Sequence, residues 1–274
     1  MVFPVPTSLS PSRVESFTNC PLQFRFASIE KLPEPTNVHA AKGSLVHRAL
    51  ELVFYEAAGR RSPELGAECL AQAIEEFAVD PEFVELGLAG TDLVDFCADA
   101  EKLMAGYFRM EDPNSVREIG LELRLEASVG DLSLRGIIDR LELDEQGDLV
   151  VTDYKTGRPP YQNREQQRLG GVNFYAFLCQ EVLGRRPSKI RLMYLRTGET
   201  IEATPSDQSV KFLTRRAAAV YQAVAKACDS GDFRPRTGPL CNFCAFQTWC
   251  PSYGGDPTLA ATEARARTIP VIAA

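Results

Sequence analysis

The spacing of apolar residues predicts that the first part of the chain is helical. Apolar positions recur every three or four residues near 10–20, again from about Ala40, and in two or three further segments across 63–110. In the second of these helices His47 shares a face with Leu50, Glu51 and Phe54, because residues three, four and seven apart meet on one side of a helix.

The period then changes to two, which predicts a sheet. Leucines at 121, 123 and 125 alternate with charged residues at 122, 124 and 126, a pattern typical of a half-buried strand. Glu122 lies on the polar side of this strand, and we expect it to be solvated rather than catalytic. The remaining elements are predicted as strands over 132–143, 149–154, 190–194 and 199–203, and helices over about 164–183 and 208–230. The fold class is therefore α/β.

Two of the predicted strands carry charged residues where apolar ones are expected. Asp139 shares a strand face with Ile137 and Leu141, and Asp153 shares one with Lys155 after an apolar run. Burying a carboxylate is costly, and even a buried ion pair seldom stabilises a fold more than apolar packing does. Two carboxylates and a lysine converging from adjacent strands therefore indicate a site for a divalent cation and an anionic substrate.

Three short motifs occur in an order that resembles a known family. They are His47-Arg48-Ala49-Leu50-Glu51, Gly136-Ile137-Ile138-Asp139-Arg140 and Asp153-Tyr154-Lys155-Thr156-Gly157. From about Ser10 to Cys250 the chain resembles the RecB-type branch of the PD-(D/E)XK nuclease superfamily. The resemblance implies a restriction-endonuclease-like core, a mixed sheet flanked by helices, with a helical insertion. It also implies a stand-alone, metal-dependent DNA exonuclease acting on single strands or DNA ends.

The same resemblance implies a role for each residue of the motifs. His47, Asp139, Asp153 and the backbone carbonyl of Tyr154 would bind Mg2+ or Mn2+, ions that prefer oxygen ligands, imidazole being better suited to Mn2+. Asp139, Asp153 and Lys155 would be the catalytic residues. Lys155 would orient the attacking water or neutralise the phosphate.

Substrate contacts are expected after the second strand motif. Relatives usually carry a Gln four residues before the Tyr of the next helix, but Gly171 stands there before Tyr175, which leaves Gln167 as the candidate. Residues 155–196 hold nine basic and two acidic residues, a net +7 in a chain of net charge -7. This stretch is either a phosphate track or a solvated surface. The proposed substrate-binding residues are Arg158, Arg164, Gln167, Arg168 and Tyr175.

Eight cysteines are present, and four of them form a pattern. Cys20 precedes the core, and Cys241, Cys244 and Cys250 follow it, which resembles the [4Fe-4S] staple of AddB-type and CRISPR-associated adaptation nucleases. Zinc is the less favoured occupant, and free structural cysteines are a third interpretation. Phe243, Phe246 and Trp249 are expected to shield the cluster. The other four cysteines lie in apolar helical patterns and are interpreted as core residues: Cys69, Cys97, Cys179 and Cys228.

Composition sets the wider expectations. No apolar run is long enough to span a membrane, and the start has no secretory pattern, so we expect a cytoplasmic protein without membrane contact. No phosphate-binding loop is present, so a helicase would be a separate partner. The alternative function is a catalytically impaired nucleic-acid-binding module of the same fold, and a third is a zinc-binding interaction domain. The expected segments are 1–38 (first helix and Cys20), 39–115 (helical, with His47), 116–235 (nuclease core), 236–254 (cysteines) and 255–274 (disordered tail).

Overall fold

A computed structural model describes residues 2–35, 37–159 and 165–268, and the side chains of 165–171 and 265–268 are outside this description. The chain divides into two compact units. The first comprises Met1–Pro35, Glu126–Arg135 and Lys211–Ala274, and the second comprises Thr36–Leu125 and Gly136–Val210.

The described residues contain nine α-helices and six strands, numbered here in chain order. The helices are α1 (Pro11–Asn19), α2 (Pro21–Phe24), α3 (Val38–Tyr55), α4 (Pro63–Ala78), α5 (Pro81–Glu85), α6 (Gly90–Met110), α7 (Glu165–Leu183), α8 (Asp207–Ser230) and α9 (Ala260–Thr268). The strands are β1 (Ser8–Leu9), β2 (Arg117–Val129), β3 (Leu132–Leu143), β4 (Leu149–Lys155), β5 (Lys189–Tyr194) and β6 (Glu199–Ala203).

The second unit contains a mixed sheet. Strand β4 pairs antiparallel with β3 and parallel with β5, and β6 pairs antiparallel with β5. Strand β2 pairs with β3 on the other side. A parallel pair needs a crossover connection, and α7 supplies it between β4 and β5. The mixed sheet flanked by helices that the sequence predicts is confirmed.

Helices α3, α4 and α6 form the main core of this unit. Their apolar faces bury residues such as Leu45, Leu50 and Leu103, which pack with Tyr154 and Met193 of the sheet. The 39–115 region is therefore a helical layer whose apolar stripe covers one face of the sheet, as its 3.6-residue period predicts. Within the described residues no helix is both long and apolar enough to cross a membrane.

Strand β3 buries an arginine that the sequence analysis did not single out. Arg140 is fully buried, forms ion pairs with Glu111 and Glu142, and donates a 2.8 Å hydrogen bond to the Tyr154 hydroxyl. Burial alone would raise the pKa of Glu111, but Arg140 lowers it below its usual value. The expected apolar face around Asp139 is interrupted, because Ile137 is 43% exposed.

The first unit is held together by a buried arginine and an aromatic cluster. Arg25 donates 2.8 Å hydrogen bonds to Glu30 and to the Pro257 carbonyl, and its guanidinium stacks on Phe3. Phe246 and Trp249 are buried.

Two features of the first unit differ from expectation. Residues 255–274 were expected to be disordered, yet α9 forms within them and buries Ala260 and Ala264. The expected shielding by Phe243 is not observed, because this side chain is 87% exposed.

Candidate metal centre

His47 and the two strand motifs meet at one point of the second unit. The imidazole Nε2 lies 3.0 Å from the carbonyl oxygen of Tyr154, and the Tyr154 amide donates a 2.7 Å hydrogen bond to Asp139. A carbonyl can only accept, so Nε2 carries the proton of the neutral ring. The other nitrogen, Nδ1, therefore presents a lone pair, 3.5 Å from Asp139 Oδ2 and 4.0 Å from Glu122.

The lone pair of Nδ1 and the oxygens of the two carboxylates face one another, an arrangement that suits a bound cation. Among the described residues, His47, Glu122 and Asp139 are the one set of three potential ligands whose donor atoms all lie within 4.8 Å of one another. Burial lowers the pKa of His47 more than the nearby carboxylates raise it, which keeps the imidazole neutral. One neutral nitrogen and two carboxylates match the donors that Mn2+ accepts.

Glu122 belongs to this set of potential ligands, although the sequence predicts it to be a solvated residue. Its φ of 44° lies in the left-handed region, which is rare for a residue other than glycine and costs of the order of 1–3 kcal/mol. This conformation interrupts the alternation of β2, so that Leu121, Glu122 and Leu123 are all half-buried. Burial first, and then the charge of Asp139, raise the pKa of Glu122. The strict alternation in the sequence gives no signal of this change.

Asp139 has an unusually high affinity for a proton. Burial first, and then repulsion from Asp153, raise its pKa from 3.8 to about 8, although the Tyr154 amide and Lys155 oppose the shift. Two carboxylates so close together resist simultaneous ionisation unless a positive charge joins them. A divalent cation would supply that charge.

Asp153 is placed beside Lys155 rather than in the three-ligand set. Its carboxylate forms an ion pair with the Lys155 ammonium and accepts a 3.4 Å hydrogen bond from the Tyr175 hydroxyl. Burial works to lower the pKa of Lys155, but Asp153 and Asp139 outweigh it, so the pKa is raised. Lys155 therefore remains cationic at neutral pH.

Tyr175 approaches this site because α7 packs closely on β3. A Cβ atom at Gly136 would lie 2.9 Å from the Leu178 side chain, nearer than real Cβ contacts. Burial first, and then Asp153, raise the pKa of Tyr175, so its hydroxyl keeps its proton. Gly136 thus allows the close approach of the helix that carries Tyr175.

Most cations of the 155–196 stretch are occupied by local acids. Ion pairs join Arg185 to Asp148, Arg186 to Asp207, Lys189 to Glu202, Arg191 to Glu142 and Arg196 to Asp99. Of the three arginines predicted to contact substrate, Arg158 is exposed. The predictions for Arg164, Arg168 and Gln167 fall outside the described residues and side chains. The net charge of the stretch therefore overstates the positive surface that is free to meet a phosphate.

The four patterned cysteines are electrostatic neighbours in the first unit. Burial first, and then the charges of Cys20, Cys241 and Cys250, raise the pKa of Cys244. All four are partly exposed, whereas Cys69, Cys179 and Cys228 are buried. In the described part of the chain, the thiols of the four patterned cysteines form no set of three that all lie within 4.8 Å of one another. The structure does not by itself identify a metal centre there.

We expect Asp139→Asn to stabilise the protein in the presence of a chelator. Asp139 binds its proton more tightly folded than unfolded, so between pH 3.8 and about 8 stability falls as pH rises. Asparagine cannot ionise, and its side-chain oxygen can still accept the hydrogen bond from the Tyr154 amide. The free energy of unfolding should rise by about 1–3 kcal/mol at pH 7, and more at pH 8 than at pH 5.

Thermal melts in EDTA at several pH values measure this effect. Asp131→Asn, in an exposed turn, is the matched control and should change little. If Asp139→Asn is less stable than wild type, or if the difference in stability does not depend on pH, the assigned repulsion between Asp139 and Asp153 is contradicted.

Comparisons with known proteins add to what the geometry of the site indicates. A sequence model described as the PD-(D/E)XK nuclease superfamily matches residues 8–251. Curated protein sequences give no significant match. Similar solved structures include one titled "Crystal structure of SSO0001", which is 15% identical, with a TM-score of 0.42, over 90% of this chain and 87% of that chain. This structural similarity identifies neither a substrate nor an activity.

Proposed function

Because the chain belongs to the PD-(D/E)XK nuclease superfamily, we propose that it is a metal-dependent deoxyribonuclease that degrades single-stranded DNA or DNA ends as an exonuclease. The observation that carries the proposal is the convergence of His47 Nδ1, Glu122 and Asp139 beside the Asp153–Lys155 ion pair. A cation site next to a fixed ammonium group is the combination that phosphodiester hydrolysis requires.

His47, Glu122 and Asp139 are the residues that would hold the ion. A bound Mg2+ or Mn2+ would neutralise the phosphate and make water more acidic. The hydrogen bond from Nε2 to the Tyr154 carbonyl fixes the imidazole so that Nδ1 faces the carboxylates. Such support from a neighbouring group orients a ligand and reduces the cost of binding.

Lys155 is the residue best placed to meet the substrate. Its side chain is 39% exposed, and its ammonium group forms an ion pair with the nearly buried carboxylate of Asp153. Because it remains protonated, it acts as a fixed positive charge that orients the attacking water and balances charge on the phosphate, rather than as a base. Tyr175 in turn positions Asp153 through its hydroxyl.

Digestion of end-labelled linear and circular single-stranded DNA in Mn2+ tests this function. An exonuclease removes nucleotides from the linear strand and leaves the circle intact. Equal digestion of both forms would replace the exonuclease proposal with an endonuclease. Binding of DNA without any cleavage would support the alternative of a catalytically impaired binding module.

We further propose that Cys20, Cys241, Cys244 and Cys250 hold a [4Fe-4S] cluster. Backbone amides support the sulfur atoms: Arg236 N donates to Cys20 at 3.5 Å, and Gly238 N donates to Cys241 at 3.3 Å. Hydrogen bonds of this kind stabilise thiolates in clusters. A single zinc ion draws its ligands close together, since each Zn–S bond is only about 2.3 Å long, whereas among the described residues these thiols form no set of three within 4.8 Å of one another.

Cys20→Ala is expected to lose the iron and to lower the melting temperature. Cys20 would be the ligand from the N-terminal side, and its loss opens a connection across more than 200 residues of sequence. Iron content, absorbance near 400 nm and thermal melts of anaerobic preparations measure the effect. Cys97→Ala, at another partly exposed cysteine, is the matched control and should keep its iron.

Full iron and an unchanged melt in Cys20→Ala would show that the fourth ligand lies elsewhere. Cys228 is the next candidate, although it is fully buried and its thiol donates a 3.5 Å hydrogen bond to the Pro4 carbonyl.

A further inference from the structure

Helix α8 presents an unusually basic exposed face. Between Asp207 and Asp229 its sequence contains four cations and no acid, in a chain with 37 acidic and 30 basic residues. The cations are Lys211, Arg215, Arg216 and Lys226. The opposite face is apolar and buries Leu213, Ala217 and Val224. Between the exposed acids at its two ends, Asp207 and Asp229, the exposed side of the helix therefore carries only positive charge.

The cations of α8 have no acidic partners among the described residues. In the parts of the chain that the structure describes, none of the four takes part in an ion pair, and three of them, Lys211, Arg215 and Lys226, are exposed. Two exposed arginines elsewhere serve as a contrast because they are paired: Arg60 with Glu56 at 2.9 Å, and Arg234 with Asp232 at 3.0 Å. The charge of α8 is therefore available to an external anion.

The positions of these residues form a continuous stripe. Lys211, Arg215, Ala219, Gln222 and Lys226 are all exposed and follow one another at intervals of three or four residues. At 1.5 Å per residue the stripe is about 22 Å long, which matches about six phosphates at 3.4 Å per nucleotide of one strand.

An exposed aromatic side chain lies within the same surface. Phe212 is 67% exposed, and Arg216 follows it one helical turn later. A phenylalanine exposed to this degree gains little from folding. Aromatic side chains among cations are the arrangement that binds single strands, because bases stack on the ring while cations meet the phosphates.

We propose that the exposed face of α8 binds the backbone of single-stranded DNA and stacks a base on Phe212. The inference rests on the proposed nuclease function and adds a substrate surface to it. Charge complementarity favours a polyanion in a chain whose net charge is otherwise negative. Apart from Phe212, the stripe offers only small or polar residues, too little apolar area for a stable protein interface.

Binding of fluorescent oligo(dT) in EDTA, at several salt concentrations, tests the proposal without cleavage. The double variant Lys211→Gln, Arg215→Gln should bind more weakly and reduce the salt slope by about 1.4, since each contact with a single strand contributes about 0.7. Phe212→Ala should lower affinity about 5- to 150-fold with an unchanged slope. The matched control, Arg60→Gln with Arg234→Gln, removes the same charge from paired arginines and should keep the wild-type slope.

The outcomes separate this surface from the catalytic proposal. Mn2+-dependent hydrolysis of bis(p-nitrophenyl) phosphate, which is too small to span the stripe, should proceed at the wild-type rate in the α8 variants. If the folded α8 variants bind oligo(dT) with the wild-type salt slope and affinity, the inference is overturned and the proposed nuclease function is unaffected. A salt slope that falls by the same amount in the Arg60→Gln, Arg234→Gln control would also overturn the inference. A wild-type protein that hydrolyses neither substrate would instead contradict the nuclease function.

Discussion

Lys155→Ala and Asp153→Ala should each reduce DNA cleavage at least 100-fold while the protein stays folded. Removal of one electrostatic contact to a reacting oxyanion typically costs about 10²–10³ in rate. In Lys155→Ala the fixed ammonium group is lost, and in Asp153→Ala the same group loses the carboxylate that positions it. Rates on labelled single-stranded DNA in Mn2+, with melts of each variant, measure the effect.

Lys189→Ala provides the matched control for these variants. Lys189 also lies on a strand of the sheet and forms an ion pair, with Glu202 at 3.1 Å, but outside the metal centre. It should cleave at the wild-type rate. If Lys155→Ala or Asp153→Ala also cleaves at that rate, the assigned site is wrong.

Arg140→Ala is expected to destabilise the second unit by about 3 kcal/mol, the lower end of the cost of breaking a buried ion pair. Arg140 is fully buried, and its removal leaves the nearly buried carboxylates of Glu111 and Glu142 with Arg191 as their remaining ion-pair partner. The pKa of Glu111 is lowered in the wild type, so its contribution is present above the unfolded pKa and is lost as pH falls through the lower folded pKa. The deficit of the variant should therefore shrink in acid.

Urea unfolding at pH 7 and at pH 4 measures this prediction. Arg135→Ala is the control, because Arg135 lies on the same strand but is 55% exposed and pairs with an exposed glutamate, Glu126. An exposed ion pair contributes at most about 1 kcal/mol. Similar losses in both variants would mean that the buried network is not what stabilises this strand.

The sequence predicts the elements well because their periods are strong. The expected strand over 132–143 matches β3, and the expected helix over 208–230 matches α8 to within one residue. Apart from Glu122, the residues that form the candidate site lie in motifs, and the structure brings His47, Asp139 and the backbone of Tyr154 into contact. Their catalytic roles remain proposals.

The parts that sequence reasoning missed depend on conformation and tertiary contact. Glu122 enters the site through a left-handed backbone, which the alternation of its strand does not reveal. Arg140 is adjacent to Asp139 in sequence but points to the other face of the strand, where Glu111 from a distant part of the chain and Glu142 of the same strand neutralise it. The sequence predicts that Phe243 shields the cysteines together with its aromatic neighbours, but only the fold determines which of them are buried.

The dependence of cleavage on a divalent cation tests the central claim most directly. The chelated protein is incubated with labelled single-stranded DNA while Mn2+ is titrated. The convergence of His47, Glu122 and Asp139 predicts no cleavage in EDTA, cleavage that rises and saturates with Mn2+, and a loss of this response in Asp139→Asn. Cleavage that proceeds equally in EDTA, or a folded wild-type protein that cleaves no DNA at saturating Mn2+, would contradict it.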